Sequence, residues 1–129
     1  MINPTAMFPV LVANDLAKLR EFYESNFGFT TEFYDEAFYL HLLQPVSKIQ
    51  LGFMVPNHPS QPKFLHPTAS SMGMVVSFEV DDAKAAYEIA QQSGLDISFE
   101  HKVEEFGVAH FMIRDPAGFV VDIVEHLDQ

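Results

Sequence analysis

The chain has no cysteine and no tryptophan, and cations are scarce: 7 Lys and Arg stand against 18 Asp and Glu in 129 residues, a formal charge of −11. Without cysteine there is no disulfide, no thiolate nucleophile and no thiolate metal site. The acidic balance repels nucleic acid and anionic membrane, so neither is an expected partner. Long apolar runs are missing too. The longest stretch free of charged, amide or hydroxyl side chains, Ala6 to Ala13, is interrupted by Pro9 and falls far short of the roughly 20 residues of a spanning helix. No basic segment followed by an apolar core and a cleavage site opens the chain, so a cytoplasmic location is expected. The six glycines form no phosphate-cradling cluster, and no serine sits in a Gly-x-Ser-x-Gly elbow. What is abundant is apolar: 48% of residues, 13 of them Phe. At this length that suffices for one folded domain, 1–129.

Two similar halves flank a proline-rich crossing. In the first, about 6–55, Phe8, Val10 and Val12 alternate with Pro9, Leu11 and Ala13 as a strand, and Asn14 and Asp15 offer an N-cap. Leu16, Leu19, Phe22, Tyr23 and Phe27 then fall at helical spacing, with Gly28 as a left-handed stop. Strands are expected near 29–34, 37–43 and 48–55. The second half, about 72–126, repeats the plan about 67 residues later. It begins with a strand over 74–80. A helix follows, capped by Asp81 and Asp82, carrying Ala83, Ala86, Tyr87 and Ala90 on one face and stopped by Gly94. Ile97, Phe99, His101 and Val103 then alternate with polar residues, and strands over 108–114 and 119–125 flank Asp115-Pro116-Ala117-Gly118, which suits a type I turn. Each half is therefore βαβββ, too small to bury a sheet face alone. The expected class is α+β, two modules in a pseudo-twofold arrangement. Residues 56–71, with Pro56, Pro59, Pro62 and Pro67, read as an extended connector, with a binding loop as the alternative.

The six histidines form no tight ligand pair: His58 and His66 lie in the connector, His41 and His110 in strands of opposite halves, His101 in a partly polar strand and His126 near the end. Surface or satisfied polar positions account for such a scatter. Asp35-Glu36, Asp81-Asp82 and Glu104-Glu105 read as turn and cap residues on a solvated surface. Asp122, between Val120 and Val124 on one face of the last strand, looks either into a cavity or at a structural partner such as an Arg or a backbone donor. Phe22, Phe27, Phe78 and Phe111 occupy core positions. Phe33, Phe38 and Phe106 stand beside acidic stretches. They are either core residues at strand ends or an aromatic face suited to a flat cation.

Val12-Ala13-Asn14-Asp15-Leu16, Phe22-Tyr23, Phe27-Gly28-Phe29, Phe78-Glu79-Val80-Asp81-Asp82 and Arg114-Asp115-Pro116-Ala117-Gly118 together resemble the vicinal oxygen chelate superfamily of glyoxalase I, extradiol dioxygenases and bleomycin-resistance proteins. The resemblance implies a pair of βαβββ modules forming a curved mixed sheet around a cavity. In the superfamily's metalloenzymes the ligand positions fall on Phe8, Gln50, Val75 and Asp122 of this chain, and Phe and Val carry no donor atom. Closer likeness to the bleomycin-resistance proteins lies in Pro9-Val10-Leu11, Asp15, Glu21-Phe22, Gly28-Phe29, Phe33 and Phe106-Gly107. It implies a homodimer that binds without cofactor or catalysis. Phe33 of one subunit and Phe106 of the partner subunit would sandwich a planar cationic molecule, with Phe38 lining the groove and acidic side chains attracting the charge. Phe106 departs from the Trp of those binders, a smaller stacking face. The competing reading is a metal-dependent lyase or dioxygenase using Gln50, Asp122 and a histidine such as His110 or His41.

Overall fold

Asp15 and Gly28 bracket the first helix. In the computed structural model, which describes residues 1–127, α1 (Leu16–Phe27) starts after Asp15, whose carboxylate accepts the Lys18 N–H at 3.4 Å, and stops at Gly28 with φ of 69°. Asp15 itself is left-handed, φ 58°, a conformation that short polar side chains tolerate better than most. Leu16, Leu19 and Tyr23 are buried, the single face that three- and four-residue spacing dictates. Phe22 and Phe27, expected in the core, are only half-buried. The last two residues of the 1–129 expectation lie outside the described residues.

The chain divides into two compact units, the first Met1–Ala69 and the second from Ser70 onward. The first unit pairs β1 (Val10–Val12), β2 (Thr30–Asp35), β3 (Tyr39–Leu43) and β4 (Gln50–Met54) in the order β1-β4-β3-β2. The second pairs β5 (Val76–Glu79), β6 (Asp96–Glu104), β7 (Val108–Arg114) and β8 (Val120–His126) in the order β5-β8-β7-β6, with α2 (Ala83–Gln92) after β5. In both sheets the first strand runs parallel to the last and the other pairs are antiparallel. The βαβββ repeat is thus present as two four-stranded mixed sheets, each with its own helix. Equivalent positions follow from the ladders. The Ala13 N–H donates to Met54 O at 2.9 Å and the Val80 N–H to Val124 O at 2.8 Å. Met54 faces Tyr39, and Val124 faces His110.

Strand alternation separates a core face from an open face. In the first unit Leu40, Leu42, Leu51 and Phe53 are buried, with Phe53 5.6 Å from Tyr23 of α1. Tyr39, His41, Gln50 and Gly52 take the opposite face. In the second unit Ala109, Phe111, Ile113, Val121 and Ile123 are buried, and Phe111 meets Tyr87 of α2 at 5.2 Å. His110 and Asp122 take the other face. Each such core Leu, Ile, Val or Phe side chain contributes roughly 1.5–3 kcal/mol by burial.

Register shifts in β6, between Ile97 and Phe99 and between Phe99 and Lys102, overturn the expected strict alternation there. Phe99 faces Met112 and packs 5.3 Å from His110 on the open face, whereas His101 turns to Tyr87 of α2. A bulge inserts a residue and flips the side of those that follow. The end of α2 follows the sequence expectation closely: Leu95 N–H reaches Ala90 O and Gly94 N–H reaches Gln91 O, with Gly94 at φ 69°, a Schellman closure. The Asp115–Gly118 turn closes through Gly118 N–H to Asp115 O at 2.9 Å. The buried Asp115 carboxylate also accepts from Ala117 and Phe119 N–H. Residues 56–71 are not extended throughout. A 3₁₀ turn, Lys63–Leu65, forms inside them, Asn57 N–H bonds to His66 O, and Ala69 N–H docks on Val12 O of β1. Among the described residues no helix is long and apolar enough to cross a membrane.

Candidate functional site

The open face of the first unit carries a hydrogen-bonded chain of three side chains. Tyr39 and His41 are two apart on β3 and so share a face, and β4 brings Gln50 to them. The Tyr39 hydroxyl lies 2.7 Å from His41 Nδ1, and His41 Nε2 lies 2.7 Å from Gln50 Oε1. Phe8 packs perpendicular to His41, centroids 4.7 Å apart and planes at 86°. Gly52 stands diagonally beneath Tyr39 in the ladder, and a Cβ built there would run into the Tyr39 hydroxyl and crowd Val10. This glycine has no left-handed φ; space alone requires it. Burial raises the Tyr39 pKa above its ordinary 10, so the phenol keeps its proton.

Aromatic rings border this chain. A bulge in β2 between Thr31 and Phe33 aligns Phe33 with His41. The Phe33 ring is 6.4 Å from Tyr39, and the residue is 51% exposed. Phe38, in the β2–β3 turn, is half-buried, 5.9 Å from Tyr39 and 4.4 Å from His58 of the connector. Asp35 closes that turn by accepting Ala37 N–H, while Glu32 and Glu36 are exposed.

The open face of the second unit holds a carboxylate–imidazole–carboxylate array. His110 Nδ1 lies 2.8 Å from Asp122 Oδ1 and Nε2 lies 2.9 Å from Glu104 Oε2. A neutral imidazole has one N–H; satisfying two carboxylates requires imidazolium. Burial pulls the His110 pKa down, but the hydrogen bonds and charges of Glu104 and Asp122 together outweigh it and the net shift is upward. Glu104 is held below the usual carboxylate range by its hydrogen bonds to His110 and then to Lys102, whose ammonium is 3.1 Å away. Glu104 is therefore no solvated turn residue, correcting the expectation for Glu104-Glu105. Of the two alternatives for Asp122, a cavity or a structural partner, the structure shows a partner, the His110 ring. Phe106, in the tight β6–β7 turn that Gly107 closes onto Glu104 O, is 76% exposed.

The structure thus sets Phe33 and Phe38 around Tyr39 in the first unit and Phe106 at a turn of the second. The resemblance aligns Phe8, Gln50, Val75 and Asp122 with metal ligands. Phe8 and Val75 have no donor atom, Gln50 is bonded to His41, and Asp122 is bonded to His110. Among the described residues no three His, Cys, Asp or Glu side chains converge to hold an ion. Sequence reasoning missed Tyr39, Gly52 and Glu104. A Tyr-x-His pair followed by a glycine inside a strand run is a signal for the first two, whereas the inward turn of Glu104 depends on bulges with no local mark. A separate depression of about 290 Å³ in the second unit, lined by Glu79, Val80, Asp81, Glu125 and His126, is occupied with capping: Glu125 accepts the Ala83 N–H of α2 and Glu79 meets His126 at 3.0 Å.

Residues 2–123 match the family described as the Glyoxalase/Bleomycin resistance protein/Dioxygenase superfamily. No curated protein matches the chain. Solved structures with similar folds include a lactoylglutathione lyase from Agrobacterium tumefaciens, 22% identical over 95% of this chain and 94% of that one, with TM-score 0.74. TioX from Micromonospora sp. ML1 is 16% identical over 96% and 100%, with TM-score 0.75. A bleomycin resistance determinant encoded on the transposon Tn5 is 20% identical over 95% and 98%, with TM-score 0.68. At these identities the likeness concerns the fold.

Proposed function

The chain belongs to the glyoxalase/bleomycin resistance protein/dioxygenase superfamily, and from that membership we propose that it binds and sequesters a planar, cationic small molecule of bleomycin type without a metal ion. It acts as a homodimer of single-domain chains. The ligand stacks between Phe33 of one protomer and Phe106 of the partner subunit, with Phe38 lining the groove. The observation that carries this reading is the exposure of the two rings, 51% at Phe33 and 76% at Phe106, in a chain with formal charge −11. Large apolar rings left in water beside carboxylates suit a flat cation, and stacking adds about 1 kcal/mol per ring pair beyond the area buried. Acidic surface supplies long-range attraction. Lyase or dioxygenase chemistry of the superfamily's metal-dependent kind would need ligands that Phe8 and Val75 do not offer.

Calorimetric titration of chelator-treated protein with metal-free bleomycin tests the reading. Saturable binding at micromolar protein, unchanged when zinc, nickel or manganese is supplied to the protein beforehand, is expected. No saturable heat, or binding restored only by the metal, contradicts it.

A further inference from the structure

The direction of the hydrogen bonds on the first unit's open face narrows the ligand class, an inference that rests on the binding reading above. Gln50 presents its amide oxygen to His41 Nε2 at 2.7 Å. An amide oxygen only accepts, so the ring proton is on Nε2. With the proton there, Nδ1 keeps its lone pair, and the phenol supplies the proton of the 2.7 Å contact with Tyr39. Tyr39 spends its one donor on His41 and has only lone pairs left to offer. The array is held in place on every side. Phe8 packs perpendicular to His41, the Tyr39 ring stacks on His41 at 5.7 Å and 28°, and Gly52 leaves the room that the hydroxyl fills. The Phe33 and Tyr39 ring centroids stand 6.4 Å apart, a separation that a fused-ring ligand lying on Phe33 can span.

We propose that Tyr39 Oη is a specificity-determining acceptor that selects, among planar cations stacking at Phe33, those bearing an N–H donor in the ring plane. The class is an amino-substituted heteroaromatic or amidinium cation, favoured over its N-alkylated counterpart. A ligand offering only carbonyl or ether oxygen meets lone pair against lone pair and is disfavoured.

Two dyes with one phenothiazinium core make the test: thionine, with amino substituents, and methylene blue, in which every amino hydrogen is replaced by methyl. Fluorescence titrations use the full chain as wild type, Tyr39→Phe and Gln50→Glu, with folding checked by circular dichroism. Wild type is expected to prefer thionine. Tyr39→Phe should weaken thionine roughly 3- to 10-fold, the equivalent of one net hydrogen bond, and leave methylene blue unchanged. Gln50→Glu places a carboxylate on Nε2, favours the imidazolium and makes Nδ1 a donor, which releases the Tyr39 proton from His41 and erases the preference for thionine. Should Tyr39→Phe not fold, the Gln50→Glu result decides. If wild type binds both dyes equally, or Tyr39→Phe weakens both alike, Tyr39 is no acceptor and the inference falls while the binding reading stands. If neither dye binds wild type, both fall.

Discussion

His110 and Asp122 are diagonal neighbours across the β7–β8 ladder, joined Nδ1 to Oδ1 at 2.8 Å. The matching diagonal of the first unit is Tyr39 over Gly52. One repeat fills the position with an ion pair and the other with a phenol that requires an absent side chain.

The ion pair gives stability a pH dependence. Folding raises the His110 pKa above its unfolded value of about 6.5, so its contribution is fully present below about pH 6.5 and is lost as pH rises through the folded value. Glu104 is shifted the other way; its contribution is present above its unfolded value and lost as pH falls through the folded one. Thermal stability is therefore expected to peak between those two ranges and to decline on the alkaline side. The His110 ring resonance, followed by NMR, should titrate above the ordinary histidine value, and Asp122→Asn should lower that midpoint. A midpoint at or below the ordinary value in the wild type contradicts the array.

Gly52→Ala should destabilise by about 1–3 kcal/mol, the usual penalty for overpacking a filled site. The cost comes from the Tyr39 hydroxyl. In a Tyr39→Ala background the same substitution should therefore cost less than half as much, read as a coupling energy in a denaturant double-mutant cycle. Additive costs would show that the glycine serves some other purpose.

Core and surface aromatics separate cleanly. Phe53→Ala, at a residue with no exposed surface, should cost about 3–5 kcal/mol. Phe106→Ala, at 76% exposure, should leave the unfolding midpoint within about 0.5 kcal/mol of wild type while weakening ligand binding. Equal destabilisation by the two would place Phe106 in a core rather than on a binding surface.

Much of the fold was legible because it rests on local patterns. Leu16, Leu19 and Tyr23 announce a helix by spacing, Gly28 and Gly94 end the helices, and Asp115-Pro116-Ala117-Gly118 forms the turn its residues favour. The site was legible only in part. Phe33, Phe38, Gln50, His41, His110 and Asp122 stand out as residues, but their grouping as Gln50 with His41 and Asp122 with His110 depends on non-local strand register, which local spacing does not set. Bulges in β2 and β6 decide that Phe33, Phe99 and Glu104 reach the open faces. Nothing in the alternation of Ile97, Phe99, His101 and Val103 marks where the extra residues fall.

Electrostatic attraction predicts a salt dependence. With formal charge −11, raising ionic strength from about 0.01 to 1 M shortens the screening length from roughly 30 to 3 Å. Binding of a cationic ligand should weaken and its association rate should fall more than its dissociation rate rises. Stopped-flow titration checks this, and salt-independent association would show that the acidic surface takes no part.

The most direct measurement is a paired calorimetric titration of wild type and Phe33→Ala with metal-free bleomycin after chelator treatment. The account predicts saturable binding to the wild type and roughly 2- to 10-fold weaker binding to Phe33→Ala, with the unfolding midpoints of the two proteins alike. Affinity unchanged by Phe33→Ala, or no saturable binding to the wild type, would contradict it.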